Sequence, residues 1–243
     1  MIRTYLLNVK ELEQIKYDEA QFSERRRENI AKYKHDKDKN LAAAAELLLI
    51  YALKELDPGL ELPLKITEDE KGKPQLDTKL NLSDELKKKG FKNGTVYFSI
   101  SHSGDYAACS VSNEPIGLDI ENIKRKELSH PEKILHKEEA ETYSFITNPL
   151  EKKKYFFECW TLKESYLKNL GIGLIVRSGD FMISEDRLEA SNKKLKKRYA
   201  HCCTPGEVLH TDWKFDANYK VSYCTGKKDP DVKTIALTAK DFT

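Results

Sequence analysis

Apolar and polar side chains alternate through Ile2–Val9, which predicts a strand. From Ser23 the chain turns basic, SERRRENIAKYKHDKDKN, and then becomes apolar nearly all round in LAAAAELLLIYALKEL (Leu41–Leu56). That second pattern predicts a buried helix, ended by Asp57-Pro58-Gly59. Residues 60–95 are polar and Lys-rich, with a turn signal at Gly72-Lys73-Pro74. Val96–Ile100 and Tyr106–Ser112 are predicted as paired strands around a Ser-His-Ser-Gly turn. Asn113-Glu114-Pro115 is the next turn and Ile116–Glu121 a third strand, so Ser99–Asn122 forms one hairpin-like unit. Residues Pro131–Leu170 are mostly helical, with a loop at Thr147-Asn148-Pro149 and an end marked by Gly171 and Gly173. The final part alternates polar turns with short strand candidates: Gly179–Ile183, Tyr219–Cys224 and Thr234–Ala239.

Strand, long helix and hairpin strands therefore occur before about residue 115, and a similar series follows without any sequence repeat. The expected class is α+β, in two loosely equivalent halves, residues 1–115 and 116–243. The 243 residues, 39% hydrophobic, suffice to bury a core. Lys+Arg (42) nearly balances Asp+Glu (40), so a net charge of +2 gives no general attraction to nucleic acid or membranes. Any anion site must come from local clustering. The basic stretch is itself diluted by Glu24, Glu28, Asp36 and Asp38, which suits a small polyphosphate ligand better than a nucleic acid. The cysteines Cys109, Cys159, Cys202, Cys203 and Cys224 form no C-x-x-C pair, and their number is odd. With no signal-peptide pattern at the start and no run near the ~18 apolar residues of a spanning helix, a cytoplasmic protein with reduced thiols is expected.

Two clusters carry candidate chemistry. On a strand, Asp119 and Glu121 project from one face while Leu118 and Ile120 point to the other. Paired hard oxygen donors suit Mg²⁺, which takes few protein ligands and fills its shell with water and substrate phosphates. The same spacing also fits a solvated outer face of an edge strand. In FFECWTLKESYLKNLGIG (Phe156–Gly173), helical periodicity puts Phe156, Trp160, Lys163 and Leu167 on one stripe. Phe157, Thr161, Glu164 and Lys168 lie on the neighbouring stripe. Glu164 and Lys168, four apart, fit a surface ion pair, or a partly desolvated base beside a neutralising ammonium. His102, between serines in a turn, is a loop histidine or one contact of a phosphate site.

In this order the motifs are more specific than any one of them. Gly72-Lys73-Pro74, Phe98–Gly104 (FSISHSG), Gly117–Glu121 (GLDIE) and Trp160–Lys168 (WTLKESYLK), trailed by Gly171-x-Gly173, resemble the 4′-phosphopantetheinyl transferase family. The similarity is to its single-chain type, that of the surfactin synthetase activator, and covers roughly residues 23–175. Lys39-Asn40 stands where the family commonly has an Arg before a Ser or Thr, which loses a bidentate fork on phosphate.

The resemblance implies a pseudo-dimer of two similar α+β halves with the active site in the cleft between them. It also implies transfer of the phosphopantetheinyl arm of coenzyme A to a carrier-protein serine, releasing adenosine 3′,5′-bisphosphate. Under it, Asp119, Glu121 and Glu164 hold Mg²⁺ (or Mn²⁺) on the pyrophosphate, and Glu164 takes the serine proton. Lys168 assists the departing phosphate, and Lys163 adds charge near the pyrophosphate. His102 binds the 3′-phosphate with Lys39 and Arg27, while Ser101 and Lys73 line the nucleotide pocket. Implied partners are apo carrier domains of fatty acid, polyketide or nonribosomal peptide synthesis, met by a monomer through a face around Lys124–Lys126 and the 140s. Two rivals remain open at this point. A Mg²⁺-dependent phosphodiesterase uses the same acids but needs neither FSISHSG nor GKP, and a non-catalytic carrier-binding module needs no intact acid set.

Overall fold

A computed structural model describes residues 1–124, 131–172, 178–184, 187–190, 208–212, 216–226 and 231–242; at 183, 184, 187–190 and 208–212 only the backbone is described. It is of mixed α+β class and divides into two compact units, residues 1–115 with 229–243, and residues 116–228.

In the first unit a four-stranded sheet has the order β11-β1-β5-β4, where β1 is Ile2–Asn8, β4 Tyr97–Ser103, β5 Tyr106–Ser112 and β11 Val232–Leu237. β11 runs parallel to β1, so the C-terminal strand, expected in the second half, belongs to the first unit's sheet. Helix α1, Glu24–Lys32, is capped by Ser23, and α2, Asp36–Leu56, packs across β1, β4 and β5. Ala42–Ala45 are all at most 2% exposed, because small residues with high helix propensity let the helix lie close to the sheet. Leu48, Leu49 and Leu53 fill the space beyond, each contributing about 2 kcal/mol of burial. The predicted start at Leu41 is late by more than a turn: α2 begins at Asp36 and recruits Asp36-Lys37-Asp38, whose acids favour a helix N-terminus. The Gly72-Lys73-Pro74 turn joins β2, Ile66–Glu68, to β3, Pro74–Leu76, and Gly72 supplies the left-handed φ of 84°.

In the second unit a three-stranded antiparallel sheet has the order β6-β10-β9, with β6 Ile116–Asn122, β9 Val208–Asp212 and β10 Tyr219–Thr225. Helix α5, Pro149–Leu170, covers β6 and β10. Asn148 caps its start and Gly171 (φ 67°) its end, as the sequence signals require; Gly173 lies outside the described residues. Helix α3, Asp84–Lys88, lies in the first unit. Helix α4, Lys137–Phe145, and the strand pair β7, Phe181–Ser184, with β8, Arg187–Ala190, lie in the second.

The hairpin-like unit expected over Ser99–Asn122 is corrected by this topology. β4 and β5 do pair, but the other edge of β5 is taken by β1, so β6 has no edge to join there. β6 pairs instead with β10, Asn122 opposite Tyr219. The turn is also shorter than expected. Ser103 still pairs with Tyr106, leaving only Gly104 (φ 62°) and Asp105 between the strands, and His102 is a strand residue opposite Ala107.

Candidate active site

The acids of β6 lie under a helix rather than in water. Gly117, Asp119 and Glu121 share a face by strand periodicity, and that face meets α5: a Cβ on Gly117 would lie 1.9 Å from the Ser165 carbonyl oxygen. Asp119 is 4% and Glu121 8% exposed, which removes the solvated-edge alternative. Leu118 and Ile120, on the opposite face, are fully buried as expected. The helix stripe above this face is polar along its length. Glu158 accepts from Lys220 Nζ (3.2 Å), and Thr161 Oγ1 and Ser222 Oγ lie 2.7 Å apart. Lys168 Nζ donates to Asp119 Oδ1 at 2.7 Å, and Asn169 Nδ2 to Cys224 Sγ at 3.4 Å. Lys168 is therefore paired with Asp119 on the strand, and its charge also acts on Glu164 along the helix.

Glu164 is half-buried, and its carboxyl is pushed above the ordinary range by burial and then by the charge of Asp119. The Lys168 ammonium and a hydrogen bond from Ser178 act in the opposite direction. Asp119, Lys168 and Glu164 thus form one electrostatically coupled set. Among the described residues, no group of three or more His, Cys, Asp or Glu side chains is gathered to hold a metal ion, so Asp119, Glu121 and Glu164 are not a closed ligand cage. The donor chemistry nonetheless fits Mg²⁺, which needs only one or two carboxylates beside substrate phosphates. Asp119 and Glu164 supply hard oxygens whose mutual repulsion a divalent cation relieves.

Lys163 is fully buried: it donates to the Ile134 carbonyl (2.7 Å) and to the Glu139 carboxylate. Glu139 also accepts from the His136 backbone N–H at 2.7 Å. Burial pushes the Lys163 ammonium down and the Glu139 carboxyl up, each restrained by the other's charge. Sequence reasoning missed Glu139; its signal was His136-x-x-Glu139, a helix-start spacing. It missed Lys220 as well, which faces Glu121 only through the β6–β10 register.

The first unit carries the remaining candidates. His102 is exposed at the end of β4, and Ser101, one residue earlier, is buried and points to the opposite face, so the two do not form one contact point. Lys37 Nζ donates to Asp105 Oδ1 at 2.9 Å, which brings the first turn of α2 to the β4–β5 turn and puts Lys39 and His102 at the same end of the unit. Lys39 is half-buried and also reaches Asp36 at 3.3 Å. Arg27 is exposed on α1. Lys73 is half-buried, its backbone held by Asp69 through N–H bonds at 2.9 and 3.0 Å. Arg25, bonded to Glu68 at 2.8 Å, ties α1 to that hairpin. Arg25 and Glu68 were not among the expected site residues. Of the expected docking face, Arg125 and Lys126 lie outside the described residues.

Two family models match the chain in sequence order. The first, described as 4′-phosphopantetheinyl transferase, N-terminal, covers residues 11–114. The second, described as the 4′-phosphopantetheinyl transferase superfamily, covers residues 115–224. The 4′-phosphopantetheinyl transferase gsp of Aneurinibacillus migulanus is 32% identical over 112 residues, 45% of this chain and 46% of its own length. The 4′-phosphopantetheinyl transferase psf-1 of Bacillus pumilus is 31% identical over 134 residues, 54% of this chain and 53% of its own. For the 4′-phosphopantetheinyl transferase ffp of Bacillus subtilis the figures are 24% over 221 residues, 89% and 88%. The chain thus spans about half the length of the first two relatives and most of the third. With the two models following one another from residue 11 to residue 224, the chain belongs to the 4′-phosphopantetheinyl transferase superfamily.

Proposed function

We propose that this chain transfers the 4′-phosphopantetheine arm of coenzyme A to a serine hydroxyl of an apo carrier domain, with Mg²⁺, releasing adenosine 3′,5′-bisphosphate. The observation that carries this reading is the coupled set Asp119, Lys168 and Glu164 on the buried face between β6 and α5. Mg²⁺, when bound, would be held by Asp119 and Glu164 with Glu121 beside them, and would draw charge from the pyrophosphate oxygens.

The chain's own residues account for the proton movements. A carboxyl raised by burial and by a like charge is a stronger base once ionised, and Glu164 is placed to accept the serine proton as the hydroxyl attacks phosphorus. Lys168, already within reach of Asp119, carries an ammonium that can hydrogen-bond the departing phosphate oxygen and supply its proton. The first unit contributes binding: His102, Lys39 and Arg27 for the 3′-phosphate, with Lys73 and Ser101 toward the nucleotide. A lysine at position 39 gives charge without a fork, so phosphate binding is shared among these groups. The buried Cys109, Cys159 and Cys224, in no disulfide, fit a reducing, cytoplasmic setting, and one chain carrying both matched segments fits action as a monomer.

Incubation with coenzyme A, Mg²⁺ and several apo carrier domains, followed by intact-mass measurement, tests the proposal. One carrier should gain about 340 Da, the mass of one phosphopantetheine in covalent transfer. No gain on any fatty acid, polyketide or peptide carrier overturns it.

A further inference from the structure

We infer that Glu139 is a positioning residue for Glu164, acting through the buried Lys163. The inference rests on the transferase reading, in which Glu164 is the base.

Lys163 and Glu164 are consecutive on α5, so their side chains leave the helix about 100° apart and fixing one fixes the other. Both are gripped from outside the helix. Lys163 donates to Glu139 and to the Ile134 carbonyl, and its ammonium lies 5.5 Å from the centre of the Phe181 ring. Glu164 accepts from Ser178, three residues before Phe181. The two gripping segments touch each other: a Cβ on Gly179 would lie 3.1 Å from the Lys133 carbonyl oxygen and 3.2 Å from that of Glu132. A closed ring results. It runs from Lys163 to Glu139 and Ile134, through residues 131–135 to Gly179 and Ser178, and back to Glu164.

Glu139 is the member that makes this ring specific. It is 3% exposed, accepts from Lys163 and from the His136 backbone, and so fixes the start of α4 against α5. Well-packed apolar side chains would hold two helices together at least as well as a buried ion pair. What the pair adds is direction: an ammonium with a carboxylate and a carbonyl as acceptors has one orientation, where a methionine has several. That orientation sets the face α5 turns toward Asp119.

The test uses two variants of the full chain. Glu139→Leu with Lys163→Met removes both charges together, so no buried charge is left unpaired. Glu139→Gln keeps the shape and an acceptor oxygen. Melting temperature, coenzyme A affinity by calorimetry, and kcat and KM for carrier modification are read for each. The double variant should melt at or above the parent and bind coenzyme A within about twofold, with kcat lower by at least about tenfold, as expected for a misplaced reacting group. Glu139→Gln should lie between the two in kcat. A folded double variant with the parent's kcat overturns the inference; if the double variant does not fold, parental kcat in Glu139→Gln does so. Should the parent itself transfer nothing, the transferase reading fails separately, and a crystal structure of Glu139→Gln decides the geometry. Loss of the Glu164–Ser178 hydrogen bond supports the positioning role, and its retention overturns it.

Discussion

Replacing Gly117 with alanine probes the contact on which the acid face depends. Gly117 does not occupy the left-handed region; it is required because α5 comes too close to admit a side chain. The new methyl would lie 1.9 Å from the Ser165 carbonyl oxygen, 2.5 Å from the Asn169 backbone nitrogen and 3.0 Å from Asn169 Cβ. Two of these neighbours are backbone atoms of a helix that cannot swing aside, so the helix must withdraw by more than about 1 Å to restore normal packing. Overpacking of this kind costs about 1–3 kcal/mol. For a chain of this size that corresponds to a melting temperature lower by about 2–12 °C. The functional loss should be larger in proportion. Lys168 lies three residues beyond Ser165 and Asp119 two beyond Gly117, so withdrawal opens the 2.7 Å contact between them. A misplacement of about 1 Å at reacting groups costs on the order of 100-fold in rate. The assay is a thermal melt together with kcat for carrier modification at a temperature where the variant is folded. Gly226→Ala is the control, since nothing lies within 4 Å of the added methyl. A Gly117→Ala variant with the parent's melting temperature and kcat would refute the packing of α5 on β6 described above.

Three further outcomes are expected. Glu164→Gln should lower kcat by at least about 100-fold, the scale of general-base catalysis, while KM for coenzyme A changes little; a variant retaining near-parental kcat would remove Glu164 from the proton transfer. The same substitution should also change stability with pH. A carboxyl whose folded pKa is raised contributes stability at low pH that is lost as pH rises through that pKa. With divalent cations chelated, Glu164→Gln should therefore melt above the parent at neutral pH, with the gap closing below about pH 4; a gap that widens on acidification contradicts the assigned shift. His102→Ala should raise KM for coenzyme A several-fold with a smaller effect on kcat, and the reverse pattern would move His102 from binding to chemistry.

What the sequence made legible was local, and what it hid was long-range. Leu41–Leu56 announced its burial because residues of high helix propensity were apolar on every face, and Asn148 and Gly171 marked the ends of α5 through capping chemistry confined to a few residues. Alternation correctly put Asp119 and Glu121 on one face. It carried no information about what covers that face, since the cover is a helix stripe whose polar members find partners far along the chain, Thr161 with Ser222 and Lys168 with Asp119. Strand pairing misled for the same reason. Proximity in sequence favoured joining β6 to β5, but β1 had already taken that edge, and the true partner Tyr219 lies 97 residues from Asn122. Lys163 shared a stripe with Phe156, Trp160 and Leu167, a hint of burial, yet the carboxylate that makes burial tolerable is 24 residues upstream. The motifs were therefore better guides to family than to the partners each residue within them would meet.

The central claim is that the acid face performs group transfer to a carrier and not hydrolysis of a phosphate ester. Counting both products of one reaction tests it most directly: carrier molecules modified, by intact mass, against adenosine 3′,5′-bisphosphate released, by chromatography. Transfer predicts one bisphosphate for each modified carrier and none when carrier is omitted. Bisphosphate released without carrier, at a rate matching that of the full reaction, would contradict the account and assign the same acids to a phosphodiesterase.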